Sequence, residues 1–103
     1  MTALPTSVIV GPHTYKVVTV PDGILNGAGR VGQTCAMTGV IAIDNEQSRS
    51  QMADTVIHEL VHAVLNVTDL DNEIEERVCL ALGPGLLGVL RDNPALVKWL
   101  VKR

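Results

Sequence analysis

The clearest segregation of apolar and polar positions in the chain lies in residues 55–67. Placed on a helix at about 100° per residue, the polar side chains of this segment fall in a single sector of about 100°. That sector holds Thr55, His58, Glu59, His62 and Asn66. Every other position in the segment is apolar, so the pattern predicts a helix that is buried over most of its circumference.

Shorter patterns before this helix predict a small sheet. Residues 7–10 and 15–20 are β-branched runs separated by a turn at 11–14, which is typical of a hairpin. Residues 38–44 predict a third strand. The glycine-rich residues 22–37 have little periodicity and predict a loop or a poorly formed extra strand.

Capping signals predict where two helices begin. We expect the first helix to start at about Glu46 or Ser48 and to reach Val67. We expect a second helix to start near Glu73, with Asp71 or Asn72 as its cap. The acidic residues in its first turn suit the positive end of a helix.

The second half of the chain carries two proline signals. Pro84 lacks a backbone donor, so we expect a kink or break in the second helix between Gly83 and Gly85. Asn93-Pro94 is a start signal for a last short helix. The sequence therefore predicts an α+β fold with an antiparallel or mixed sheet of about three strands, the histidine-bearing helix and two further helices.

Size and composition are typical of one globular domain, which we assign to residues 1–103 because 47% of the residues are hydrophobic and 18% are charged. Tyr15 and Trp99 are the only aromatic residues, and the net charge is −3 without a basic cluster. These features exclude nucleic acid as a partner. We expect Trp99 to complete the core, with docking of a second copy as the alternative.

Nothing in the sequence predicts export or membrane insertion. The N-terminus has no basic region followed by a long apolar run, and the apolar residues 78–90 are interrupted by Gly-Pro-Gly. We therefore expect a cytoplasmic protein with no membrane partner. Cys35 and Cys79 are interpreted as reduced thiols, the alternative being a disulfide in an oxidising compartment.

The polar sector of the first helix matches a metal-binding motif. Burying two imidazoles and a carboxylate is costly unless they are paired or ligate a metal. The sequence His58-Glu59-Leu60-Val61-His62 is His-Glu-x-x-His, in which two histidines at i and i+4 bind Zn²⁺ and the glutamate acts as general base. The alternative is a metal-free helical protein whose buried histidines hydrogen-bond to neighbours.

A catalytic zinc site usually has three protein ligands. We expect the third from the acidic start of the second helix, where Glu75 is predicted to share an inward face with Val78 and Leu82. Glu76 is the alternate third ligand. Further alternatives are Asp69, Asp71 and Glu73, and His13 is expected to be a solvated turn residue. Leu65 and Thr68 exclude the class with a third histidine after the motif.

The expected chemistry is hydrolysis of a peptide bond. Zinc lowers the pKa of its bound water, and Glu59 accepts the water proton and passes it to the leaving amine. Tyr15 and Arg77 are candidates for stabilising the oxyanion, and the sequence does not decide between them.

The residues that carry this motif resemble the minimal zinc metallopeptidase-like domains encoded in phage and prophage genomes, which are distantly related to the ImmA/IrrE-type peptidases. The resemblance covers most of residues 38–100, in particular Ile41-Ala42-Ile43-Asp44, residues 51–65, Glu75-Glu76-Arg77-Val78 and residues 91–96. It implies a zincin in which the second helix supplies the third ligand, in agreement with Glu75. It also implies a strand before the first helix along whose edge an extended peptide adds. Gly83-Pro84-Gly85 departs from the pattern of such helices.

The leading functional prediction is a zinc-dependent metallopeptidase, more specifically an endopeptidase, that acts on a peptide or protein substrate. The predicted location is the cytoplasm, which is that of the host if the chain is phage-encoded. ImmA/IrrE-type proteins are associated with transcriptional repressors, which implies a regulatory protein as one partner. The alternative is a catalytically weak or inactive regulatory or binding module stabilised by zinc. The sequence predicts neither the oligomeric state nor the cleavage specificity.

Overall fold

The computed structural model describes residues 4–21, 25, 30–66 and 70–102, and its fold is α+β with a four-stranded mixed sheet and three helices. In chain order the elements are β1 (Ser7–Val10), β2 (His13–Val20), β3 (Gly32–Cys35), β4 (Val40–Asp44), α1 (Arg49–Leu65), α2 (Asn72–Asp92) and α3 (Pro94–Val101). Within these ranges, no helix is both long enough and apolar enough to cross a membrane.

The strands are ordered β1-β2-β4-β3. β1 and β2 form the predicted antiparallel hairpin, with Gly11 in the turn at φ 58°. β4 runs parallel to β2 and antiparallel to β3. The prediction of about three strands is one short, because β3 lies in the segment predicted to be a loop or a poorly formed strand. Its sequence, Gly-Gln-Thr-Cys, lacks hydrophobic alternation, and its pairing with β4 and its packing on α1 stabilise it instead.

The core lies between the two central strands and the first helix. Its buried members are Tyr15, Val17, Ile41, Ile43 and Ala63. Val17 and Ile41 are register partners on β2 and β4, so alternate residues of both strands face α1. The core is therefore almost entirely aliphatic, as the composition predicts.

α1 begins at Arg49 with a complete capping box. The Ser48 hydroxyl accepts the backbone N–H of Gln51 (3.2 Å), and the Gln51 side chain accepts the backbone N–H of Ser48 (3.1 Å). The helix is less enclosed than predicted: Val64 is 56% exposed, because the small sheet and α2 cover only part of its surface. The predicted end at Val67 lies outside the described residues.

The sequence predicts a kink or break near Pro84; α2 runs without interruption from Asn72 to Asp92, so the break is wrong. Asp71 caps the helix as predicted, since its side chain accepts the backbone N–H of Glu73 (2.9 Å). Pro84 is exposed and removes one helical donor on the solvent side, where water can bond to the carbonyl group. Packing against α1 along the rest of the helix keeps the two halves together.

α3 begins at Pro94 after Asn93, as the sequence predicts. The Asn93 side-chain amide donates to the carbonyl oxygen of Val89 (2.9 Å), which joins the end of α2 to the start of α3. Trp99 is 73% exposed, so the expectation that it completes the core is wrong. α3 meets only α2 among the described elements and leaves its apolar side chains on the surface.

Candidate metal centre

The candidate site lies where α1 and α2 pack antiparallel. Gly83 lets the helices come close: a Cβ atom placed there would lie 3.6–3.7 Å from the backbone N and Cα and the Cβ of His58. Gly83 and Cys79 are the buried residues of α2. Because Glu76 lies three residues before Cys79 and seven before Gly83, it shares their face and points to the histidines of α1.

Glu76 contacts both histidines of the motif. Its Oε1 lies 2.8 Å from Nε2 of His58, and its Oε2 lies 3.2 Å from Nε2 of His62. The two imidazole rings face each other edge-on, with centroids 5.0 Å apart. One ligand atom from each of these three residues lies within 4.8 Å of the others. The group therefore gathers two nitrogen donors and a carboxylate around one point.

Glu75 takes a different position beside the same histidines. Its Oε2 lies 2.8 Å from Nδ1 of His62, on the opposite side of the ring from the nitrogen that contacts Glu76. A carboxylate on one ring nitrogen fixes the orientation of the imidazole and leaves the other nitrogen for a ligand. Glu75 is thus placed to orient His62.

The predicted inward face of α2 is wrong in part. Leu82, which was expected to share that face with Glu75, is 50% exposed, whereas the small residues Cys79 and Gly83 are buried. Close packing of two helices selects small side chains at the contact, so the apolar pattern alone misplaces the face. The geometry groups Glu76 with the histidines, and the identity of the third ligand stays a prediction.

The nitrogen and oxygen donors of the group suit zinc. Zinc binds histidine nitrogen and carboxylate oxygen at about 2.0–2.2 Å in tetrahedral geometry. Ligand atoms in such a shell are about 3.3–3.6 Å apart, so the contacts of 2.8 and 3.2 Å through Glu76 need to open only slightly to admit an ion. His58, His62 and Glu76 are the residues that would hold it.

Glu59, the predicted general base, is buried with 6% of its surface exposed. The Thr34 hydroxyl lies 2.7 Å from its Oε1 and 3.0 Å from its carbonyl oxygen, and donates to them. This contact ties α1 to β3 across the sheet. Glu59 is not among the residues that the geometry groups as metal ligands, and its role as general base stays a prediction.

None of the other described residues weighed from the sequence belongs to the metal group. His13 is exposed at the start of β2, and Asp71 is the cap of α2. Tyr15 is buried in the sheet core, and Arg77 does not line the groove around the histidines, so neither is placed to stabilise an oxyanion. Asp69 lies outside the described residues.

A groove of about 780 Å³ opens over the histidines. Its lining includes the metal group, Glu59 and Glu75, together with Gly32, Gln33 and Thr34 of β3. The remaining charged lining residues are Asp54 and Arg30, so the groove is acidic overall. Acidic lining favours a bound cation.

β3 lines the groove, and the sequence predicts it only weakly. The strand that precedes α1, β4, lies between β2 and β3, so it does not provide the edge that the resemblance implies. β3 is the edge strand beside the groove. A short polar strand carries no periodic signal, and Thr34 belongs to no motif; only its structural contact with Glu59 identifies it.

The two cysteines are free thiols. Burial, together with the carboxylates of Glu76, Glu75 and Glu59, raises the pKa of the Cys79 thiol to about 11. Cys79 is therefore a neutral packing residue behind the metal group at neutral pH. Hydrogen bonds from Thr38 lower the pKa of Cys35, at the end of β3.

No match to this chain was found among protein families, curated proteins or solved structures.

Proposed function

We propose that the chain is a zinc-dependent metallopeptidase of the zincin class that acts on a peptide or protein. The observation that carries the proposal is the bridging of His58 and His62 by the Glu76 carboxylate, with buried Glu59 one residue along the same helix and a groove open above them. When bound, zinc supplies Lewis-acid chemistry: it acidifies water and polarises a carbonyl group.

Each residue of the site has a distinct task in this proposal. His58, His62 and Glu76 hold the metal, and Glu75 orients His62 through Nδ1. Glu59 takes a proton from water and later returns it to the leaving amine. Burial and the hydrogen bond from Thr34 restrict the orientation of the Glu59 carboxylate, which supports this role.

An extended peptide is the substrate shape that the groove suits. Backbone groups on the outer side of an edge strand can pair with an added strand. β3 is such a strand, and its inner face carries the side chains that line the groove. A peptide paired with β3 would lie extended along the groove, with its peptide bonds passing the metal group. We assign substrate recognition to β3 instead of β4 on this basis.

A second candidate is a regulatory or binding module in which zinc only holds α1 and α2 together. The contacts that favour it are the histidine–glutamate pairs, which join the two helices directly. A metal at this point would stabilise the helix pair whether or not peptide is cleaved.

Turnover by a Glu59→Gln variant separates the two candidates. With fluorescein-labelled casein as substrate, we expect zinc-loaded wild-type protein to release fluorescence and EDTA to stop it. Glu59→Gln should keep its zinc and lose about 10²- to 10⁴-fold in kcat, because the amide accepts no proton. Glu46→Gln, at an exposed position before α1, is the matched control and should retain full turnover.

Each outcome has a clear reading. Zinc-loaded wild-type protein that binds one metal and never cleaves casein would support the regulatory module. Full turnover by Glu59→Gln would refute the general-base assignment. Loss of turnover in both glutamine variants alike would show that the effect is not specific to Glu59.

A further inference from the structure

Thr34 makes the only described side-chain hydrogen bond to the Glu59 carboxylate. Its hydroxyl lies 2.7 Å from Oε1 and 3.0 Å from the Glu59 carbonyl oxygen. A hydroxyl has one proton, and both oxygens compete for it, with the shorter contact at the carboxylate. Because Glu59 is 6% exposed, this donor takes the place that water fills at an exposed carboxylate.

Gly32 also contacts the Glu59 side chain. A Cβ atom at position 32 would lie 3.0 Å from both Cγ and Oε2 of Glu59, and 2.6 Å from Cγ2 of Thr55. Only a residue without a side chain allows β3 to approach α1 this closely. The carboxylate is therefore held between the backbone of Gly32 and the hydroxyl of Thr34.

The same strand offers its backbone to the groove side. The backbone N–H of Asp44 donates to the carbonyl of Val31 (2.9 Å), and Gln33 pairs with Ala42 two residues later. Inward and outward backbone groups alternate in an antiparallel pair, so the N–H and C=O of Gly32 and Thr34 point away from β4. No described strand pairs with that edge.

We propose that Thr34 is a positioning residue that couples the two sides of β3. Its side chain holds the Glu59 carboxylate in the orientation needed to act as a base, and its backbone lies where an extended peptide would pair. This inference rests on the proposed peptidase function. The positions of the Glu59 carboxylate and of the bound peptide would both depend on Thr34, so a displacement of β3 would move both together.

The competing view is that this hydrogen bond merely joins the sheet to the helix. If the bond were purely structural, its loss would lower the stability of the protein and would not change kcat selectively over KM. A positioning bond acts on kcat, because the substrate still pairs with the backbone of β3 while the base is no longer held. The two views therefore differ in kinetics as well as in stability.

The test compares Thr34→Val, which keeps the shape and removes the donor, with Thr34→Ser, which keeps the donor. Thr38→Val is the matched control, since Thr38 is an exposed threonine whose described hydroxyl contacts are with Cys35 and not with Glu59 or the metal group. All variants are measured zinc-loaded, well below their melting temperatures. For Thr34→Val we expect kcat on labelled casein to fall about 10- to 100-fold, with KM and zinc content unchanged.

A second readout does not need turnover. Acetohydroxamic acid binds zinc through its two oxygens, and a carboxylate beside the metal strengthens this binding by accepting the proton that the acid loses. Calorimetry should give about tenfold weaker binding of this compound to Thr34→Val than to wild-type protein. Thr34→Ser and Thr38→Val should bind it like wild type.

The outcomes distinguish the inference from the function on which it rests. Wild-type kcat and wild-type hydroxamate affinity in Thr34→Val would overturn the positioning role while leaving the peptidase proposal intact. Weakened hydroxamate binding in Thr34→Val alone, in a protein that never cleaves casein, would support the positioning role and refute the peptidase. Failure of Thr34→Ser to restore either value would assign the effect to packing and overturn the inference.

Discussion

Two adjacent glutamates occupy different sides of one histidine. Glu76 meets Nε2 of both His58 and His62, whereas Glu75 meets only Nδ1 of His62. Successive residues on a helix are turned by about 100°, so neighbours in sequence reach different atoms of the same ring. A ligand and an orienting residue can thus lie side by side in the chain.

The two positions predict different zinc affinities in glutamine variants. Glu76→Gln removes a charged ligand and should weaken zinc binding by more than about 100-fold. Glu75→Gln removes only the group that orients His62 and should weaken it by about 10- to 100-fold. Competition with a chromophoric chelator measures both dissociation constants, and Glu46→Gln provides the control for the lost charge. A larger loss in Glu75→Gln would reverse the two roles.

At the residue scale the sequence predicts the motif and leaves the third ligand open. His58, Glu59 and His62 are recognisable because their spacing on one helix is itself the signal. The choice between Glu75 and Glu76 depends on which face of α2 packs against α1. That choice follows from tertiary contact at small residues, which hydrophobicity does not encode.

Gly83 and Gly32 each lie where two elements pack together, but only Gly83 has room for a side chain. At Gly83, between α1 and α2, an added Cβ would meet His58 atoms at 3.6–3.7 Å, which is ordinary van der Waals contact. At Gly32, between β3 and α1, it would meet Thr55 at 2.6 Å. Both glycines bring elements together, but only the second contact is too close for any side chain.

Alanine substitutions test this contrast. Gly83→Ala should stabilise the protein by up to about 1 kcal/mol, because alanine favours the helix and meets no clash. Gly32→Ala should destabilise it by about 1–3 kcal/mol through overpacking against Thr55 and Glu59. Urea unfolding of the metal-free protein measures both free energies. A Gly32→Ala variant as stable as wild type would contradict the close approach of β3 to α1.

At the element scale, long periodic segments are predictable and β3 is not. The hairpin, the strand before α1, the side-chain caps of α1 and α2 and the Asn93-Pro94 start of α3 follow from local chemistry. Pro84 misleads, because its local penalty is outweighed by the packing of α2 on α1. β3 is stabilised by its neighbours: its backbone pairs with β4, and the Thr34 hydroxyl donates a hydrogen bond to Glu59.

At the scale of the whole molecule, the α+β class is predictable because apolar strands and an amphipathic helix can bury their faces only against each other. The order β1-β2-β4-β3 is not predictable, because it depends on contacts between strands that are distant in sequence. The exposed apolar surface of α2 and α3 is not predictable from local sequence either. Trp99 has the size and apolar character of a core residue, but α3 contacts only α2 among the described elements, and Trp99 stays exposed.

The central claim is that one zinc ion binds between α1 and α2. X-ray absorption at the zinc edge tests it most directly, on protein dialysed against a slight excess of zinc and then freed of unbound metal. We predict about one zinc per chain, with a first shell of nitrogen and oxygen atoms at about 2.0–2.2 Å. The His58→Ala and Glu76→Gln variants should lose most of the metal. Absence of zinc in the wild-type protein would contradict the site described for His58, His62 and Glu76. A cysteine sulfur at about 2.3 Å from the zinc would also contradict it.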